Sequence, residues 1–226
     1  MEKLSYKKDK KKLTFQDGHT IGNSLYPLSE KKHIGVWSET NTIERKIDPK
    51  FHLFLSHAIG HEFRAGKCYN NAEAIRQIGE ASGLDISYYS GWLFPRQSQP
   101  LHHAWNVLNG KIIIDASVTK SYMRAMNRYF KEAHLYSSEE EKREFMANVF
   151  VEEEQKKGNI ADELLYSSVP KGFIYIGTKD EYEPSINRFQ NLLEKNPSHP
   201  SYQHKRNPKG ESPVQEILIN RGVWNQ

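Results

Sequence analysis

The run LHHAWNVLNGKIIIDAS, residues 101–117, leaves this chain little conformational freedom. Asn109-Gly110 is a strong turn signal between two apolar segments, so the run reads as an antiparallel hairpin. Register then decides which side chains share a face. A plain two-residue turn pairs Leu108 with Lys111 and sends His103 and Asp115 to opposite sides. A three-residue loop, Leu108-Asn109-Gly110 with Gly110 left-handed, pairs Val107 with Lys111 and sets His103 directly across from Asp115. That register also groups Ala104 with Ile112 and Ile114 on the other face, and it is the one expected. Asp115 ends three isoleucines, so it should be buried. A buried carboxylate needs a partner, and an imidazole N–H is a suitable one. By the same parity His102 faces away and is read as a surface or structural histidine.

Upstream, the only cysteine among 226 residues, Cys68, opens a helical pattern. Cys68, Asn71, Ala72, Ile75, Ile78, Gly79 and Ser82 fall on one side, and Glu73, Arg76, Gln77 and Glu80 on the other. Gly66 is placed at the N-cap and Gly83 at the C-terminal stop. Cys68 then lies in the first turn, where free amides and the positive dipole end favour thiolate over thiol. The same amides can hold an oxyanion, and Arg64 and Lys67 add positive charge. A lone cysteine is as often an inert buried one, so helix position alone leaves the two readings level. With His103 and Asp115 the three parts of thiol catalysis are present: Cys68 as nucleophile, His103 as base and Asp115 as orienter. Trp105, Trp92, Asn71 and Gln97 are assigned to the substrate-binding surface, with Asn70 beside them.

The flanks are read more coarsely. Residues 1–12 form a basic flexible tail, HIGVWS around Val36 a strand, and Asp48 to about Arg64 a helix burying Phe51, Leu55, Ala58 and Ile59. His57 and His61 have a spacing that can hold a metal, but Ala58 stands where a zinc-protease helix carries glutamate, so no metal is expected. DISYYSGW is a strand, and residues 93–101 are a proline-bounded loop beside the histidines. Tyr122, Met126, Tyr129 and Phe130 form a helical stripe. Ser138 with Glu141 is a capping box for a helix reaching about Lys157. Ile160, Leu164 and Leu165 suggest a short helix, and GFIYIGT, residues 172–178, a strand able to join the sheet. Pro184 opens a helix, residues 194–212 are an exposed loop, and Ser212-Pro213 start a last helix with Val214, Ile217 and Leu218 inward and Gly222 at its end.

GKCYNNA, then YYSGW, then HHAWNVLNGKIIIDAS resembles the core of the transglutaminase-like superfamily, which has the papain-like cysteine-protease fold. The matching positions are Gly66, Cys68, His103, Ala104, Trp105 and Asp115, within about 50 residues. Asp115 is followed by Ala116-Ser117 rather than the Pro-Thr common in that family. The resemblance implies an additional oxyanion donor, and whether Trp37 or a histidine of the 48–64 helix supplies it stays open. Because the family holds cross-linking enzymes, peptidases, glycanases and deamidating toxins, the resemblance implies a reaction type and not a substrate.

The expected fold is α+β: a papain/transglutaminase-like core with a Cys-bearing helix on an antiparallel sheet, plus extra C-terminal helices. One domain is expected over 13–226, with its core at 48–120 and a helical C-terminal extension at 121–226. The expected activity is cysteine-dependent hydrolysis or acyl transfer at an amide or related acyl bond of a peptide, protein or small amide. No cofactor is called for, and hydrolysis is the default because no acyl-donor site is visible. A single cysteine and no apolar run of membrane length point to the cytoplasm. The net charge of +4 does not demand nucleic acid. The rival reading is a catalytically inactive binding protein that uses the basic tail and the 194–212 loop to hold a partner such as nucleic acid.

Overall fold

The computed structural model describes residues 6–9, 12–15, 20–21, 28, 34–38, 49–63, 67–95, 101–166, 169–170, 172–182, 185–195, 197 and 218–223. Helix and strand are mixed. One sheet has six strands: β4 (Ile34–Ser38), β5 (Ile86–Phe94), β6 (Leu101–Leu108), β7 (Ile112–Asp115), β8 (Leu165–Tyr166) and β9 (Ile174–Lys179). Their spatial order is β4-β9-β5-β6-β7-β8, and every pairing is antiparallel. A separate three-stranded sheet joins β1 (Tyr6–Asp9), β2 (Lys12–Phe15) and β3 (Thr20–Ile21). The α-helices are α1 (Pro49–Ala58), α2 (Cys68–Ala81), α3 (Lys120–Glu132), α4 (Glu139–Gln155), α5 (Ile160–Glu163) and α6 (Ser185–Glu194).

Side chains alternate across the six-stranded sheet, and each face meets helices. Ile86, Leu108, Ile112 and Ile114 face α1 and α2, where Phe51, Phe54, Ala58, Ile75 and Ile78 complete the core. The opposite face carries Leu93, Trp105, Val107, Ile113 and Tyr175, packed with Trp37, Phe173 and, from α3, Tyr122 and Met123. Behind α3, α4 adds Phe145, Val149 and Phe150.

Helix α2 starts at Cys68 and buries Cys68, Asn71, Ala72, Ile75, Ile78 and Gly79, the face that the periodicity indicates. It stops at Gly83, whose φ of 72° is the left-handed value a helix terminus favours. The N-cap is Lys67, not Gly66, and it makes no side-chain capping bond; Gly66 lies outside the described residues. The capping box of Ser138 and Glu141 is present, and α4 ends at Gln155, short of Lys157.

Several expectations are corrected. Tyr6–Asp9, read as part of a flexible tail, pairs with Lys12–Phe15, and the register sets Tyr6 opposite Phe15 and Lys8 opposite Leu13. Helix α1 ends at Ala58, well before Arg64. It buries Phe51, Phe54 and Ala58, the rings of Phe51 and Phe54 lying 5.1 Å apart, while Ile59 falls after the helix end and is 54% exposed. Leu93 and Phe94 belong to β5 and not to a loop, held by pairing to Tyr175 and Ile174. Nor is the core confined to 48–120 with a helical extension after it. Strands β4, β8 and β9 come from outside that range, and β9 sits mid-sheet, its Ile-Tyr-Ile start suiting a strand covered on both faces. Of the 194–212 segment only Glu194, Lys195 and Pro197 are described, and Val214 and Ile217 lie outside; Leu218 is buried and Gly222 has the left-handed φ of a helix end. No described helix is long and apolar enough to cross a membrane.

Candidate active site

The hairpin that carries the site turns tightly. Asn109 and Gly110 both take positive φ, 51° and 68°, and the Lys111 N–H donates to the Leu108 carbonyl at 3.0 Å. Lys111 is then left as one extra residue, so Leu108 pairs with Ile112, Val107 with Ile113 and Asn106 with Ile114. This register lies two residues from the expected one. It sets Asp115 level with Trp105, and His103 is not directly across. The offset is even, so His103 and Asp115 keep a common face and meet on the diagonal.

The carboxylate of Asp115 is 1% exposed and fully partnered. Oδ2 accepts from His103 Nε2 at 2.7 Å and from the Tyr175 hydroxyl at 3.0 Å. Oδ1 accepts from the backbone amides of Ser117 at 2.8 Å and Val118 at 3.1 Å. Burial raises the proton affinity of Asp115, but the His103 charge and hydrogen bond and the two amides overcome it and hold the group below its ordinary range. Burial pushes His103 down, yet the Asp115 carboxylate, its hydrogen bond and the nearby Cys68 drive it up to about 10. His103 is therefore an imidazolium at neutral pH. Its Nε2 is given to Asp115, so Nδ1 is the ring nitrogen not engaged there.

Cys68 approaches from the other side of the sheet. It packs with Tyr69, Ala72, Tyr88 and Ala104, on the face that α2 covers, and is 9% exposed. Strand parity puts His103 on the opposite face. Strands β6 and β7 pair only over Asn106–Leu108. The start of α2 reaches the end of β7. There Asn71 Nδ2 donates to Ser117 Oγ at 2.8 Å, tying the Cys68 helix to the turn that follows Asp115.

The other assigned residues fare differently. Trp105 is wholly buried, its ring stacked 6.2 Å from that of His103 and inclined by 15°. It supports the imidazole and has no surface for substrate. Trp92 is 3% exposed and sits edge-on to His102, while Asn71 is 5% exposed and bonded to Ser117. These three substrate assignments are corrected: each side chain is taken up by internal packing. Gln97 lies outside the described residues, and Asn70 is exposed on the first turn of α2. His102 faces away from Asp115, as parity requires, stacks on Tyr69 at 5.8 Å and is hydrogen-bonded to its hydroxyl.

Two of the residues left open as an added oxyanion donor, Trp37 and His57, are engaged elsewhere. Trp37 packs edge-on against Tyr89 and Trp105. His57 bonds Ser82, the C-cap of α2, a full helix length of about 20 Å from Cys68. No group of three His, Cys, Asp or Glu able to hold a metal occurs among the described residues.

Sequence reasoning missed Tyr175 and the amides of Ser117 and Val118. The amides were legible, since Asp before Ala-Ser favours a side-chain bond to the backbone two residues on. For Tyr175 only the strand was legible. No family model, curated protein or solved structure matches the chain.

Proposed function

We propose that the protein is a thiol-dependent hydrolase or acyltransferase that attacks an amide or related acyl bond through a thioester on Cys68. The observation that carries this reading is the buried His103, hydrogen-bonded to Asp115 through Nε2, with Cys68 near enough to raise its proton affinity. The Cys68 sulfur attacks the substrate carbonyl carbon, and first-turn amides of α2 face the oxygen that becomes negative. The tetrahedral intermediate collapses, the carbonyl–nitrogen bond breaks, and the His103 proton passes to the departing amine. Water then attacks the thioester carbonyl and gives a proton to His103. The carbon–sulfur bond breaks and the acid leaves. An amine in place of that water yields a new amide. Asp115 keeps Nε2 protonated and Nδ1 turned to the sulfur throughout.

The core order in this reading is the transglutaminase-like one: a cysteine at a helix start, then histidine and aspartate on consecutive strands. The substrate class is a peptide, protein or small amide, and the compartment is the reducing cytoplasm. Intact-mass trapping with activated ester and amide probes tests it. The native chain should gain one acyl group and Cys68→Ala none. Equal labelling of both, or no labelling of either, would sink the proposal.

A further inference from the structure

We infer that Tyr175 is a positioning residue for this site: from β9 its hydroxyl holds the Asp115 carboxylate aimed at His103. The inference rests on reading Cys68, His103 and Asp115 as a catalytic set. Tyr175 is fully buried, and its hydroxyl donates to the same Oδ2 that receives His103 Nε2. Its ring lies 6.1 Å from that of His103 and 5.3 Å from that of Trp105. The backbone amides fix only Oδ1, so among the described groups Tyr175 is what steadies Oδ2 apart from His103 itself. Burial and the neighbouring Asp115 charge hold the phenol proton far above its ordinary range, so Tyr175 remains a donor at neutral pH.

The hydroxyl comes from three strands away, in the order β9-β5-β6-β7. Two glycines make that reach feasible. Gly177 and Gly91 pair across β9 and β5, level with His103 on β6. A Cβ on Gly91 would stand 2.2 Å from the Ile176 carbonyl oxygen. One on Gly177 would stand 2.4 Å from the Ser90 carbonyl oxygen and 2.6 Å from the Trp105 ring. Without side chains at either position, β9 closes on β5, and Trp105 lies over Gly177 where Tyr175 packs against it.

Each donor on a carboxylate lowers its affinity for a proton, so losing the phenol raises the pH at which Asp115 protonates. Tyr175→Phe keeps the ring and removes the donor. Its urea-unfolding stability should fall short of the native chain's most at neutral pH, and the gap should narrow as pH falls below the ordinary carboxylate range and Asp115 takes a proton in both. A purely packing role would give a gap that does not change with pH. Cys68 acylation should also slow, roughly tenfold, through misplacement of His103. 3-Fluorotyrosine at position 175 is a stronger donor and should displace the acid dependence the other way; it decides the matter alone if the phenylalanine variant does not fold. A constant gap with phenylalanine, or no displacement with 3-fluorotyrosine, overturns the inference. A native chain that never acylates while the gap still narrows overturns the catalytic reading instead, and leaves the Tyr175–Asp115 coupling standing.

Discussion

At the β6–β7 corner the ionisable groups are inside: His103 is 6% exposed and Asp115 1%. At the α3–α4 seam the cations stay near the surface, Arg124 with a side chain 48% exposed and Arg128 36%. There Arg128 reaches Glu152 at 2.5 Å and Arg124 reaches Glu153 at 2.8 Å, over a core of Ala125, Phe145, Val149 and Phe150. The seam is ordinary packing with charges left to solvent, and any similar set of apolar side chains would serve. The corner buries a charged pair that a hydrophobic replacement of equal volume could match in stability, and it needs four donors on one carboxylate to do so. What that arrangement gains over plain packing is a fixed, charged imidazole beside a sulfur.

The largest expected effect that separates the two regions is at Asp115. Asp115→Ala leaves His103, the Tyr175 hydroxyl and two amides without their acceptor, and should cost about 3–5 kcal/mol in urea unfolding while abolishing acylation of Cys68. Phe145→Ala in the seam should cost a similar amount, about 3–4 kcal/mol, through a cavity. Its acylation rate and pH profile should match the native chain's; a change there would show that the seam and the corner are coupled.

The pH dependence sharpens the contrast. His103 is held up to about 10 against an ordinary 6.5, so its contribution to stability is complete below about 6.5 and is lost as pH rises through 10. Asp115 is held below its ordinary range, so its contribution is present above that range and is lost as pH falls. Urea midpoints of the native chain should therefore decline from neutral to alkaline pH. In Asp115→Asn the alkaline decline should begin at lower pH, because the main charge raising His103 is gone. The smallest effect belongs to the capping box: Ser138→Ala should lower stability by about 1 kcal/mol at every pH and leave Cys68 labelling unchanged.

Local physics was legible in the sequence. The inward face of α2, the capping box of α4 and the shared face of His103 and Asp115 all follow from spacing within a short window. The register was misread because a tight Asn109-Gly110 turn and one extra residue, Lys111, give the same parity as a three-residue loop while moving every pair by two. Phe54 against Ile59 was misjudged because the helix stops at Ala58: Ile59 falls outside it, while Phe54 packs on Phe51. Tyr175 was out of reach for a different reason. Its partner is sixty residues away, and the two paired glycines that let β9 close on β5 have meaning only once the strands are set side by side.

The position of β9 bears on how the chain can mature. Ile34 in β4 bonds to Thr178 in β9, and among the described strands β4 has no other neighbour in the sheet. A ribosome releases residues 34–38 long before the strand they must join, and that distant closure slows assembly more than it weakens the finished sheet. A chain interrupted before residue 174 would already hold its cysteine, imidazole and carboxylate. It would lack both the segment that recruits its N-terminal strand and the phenol that steadies the acid.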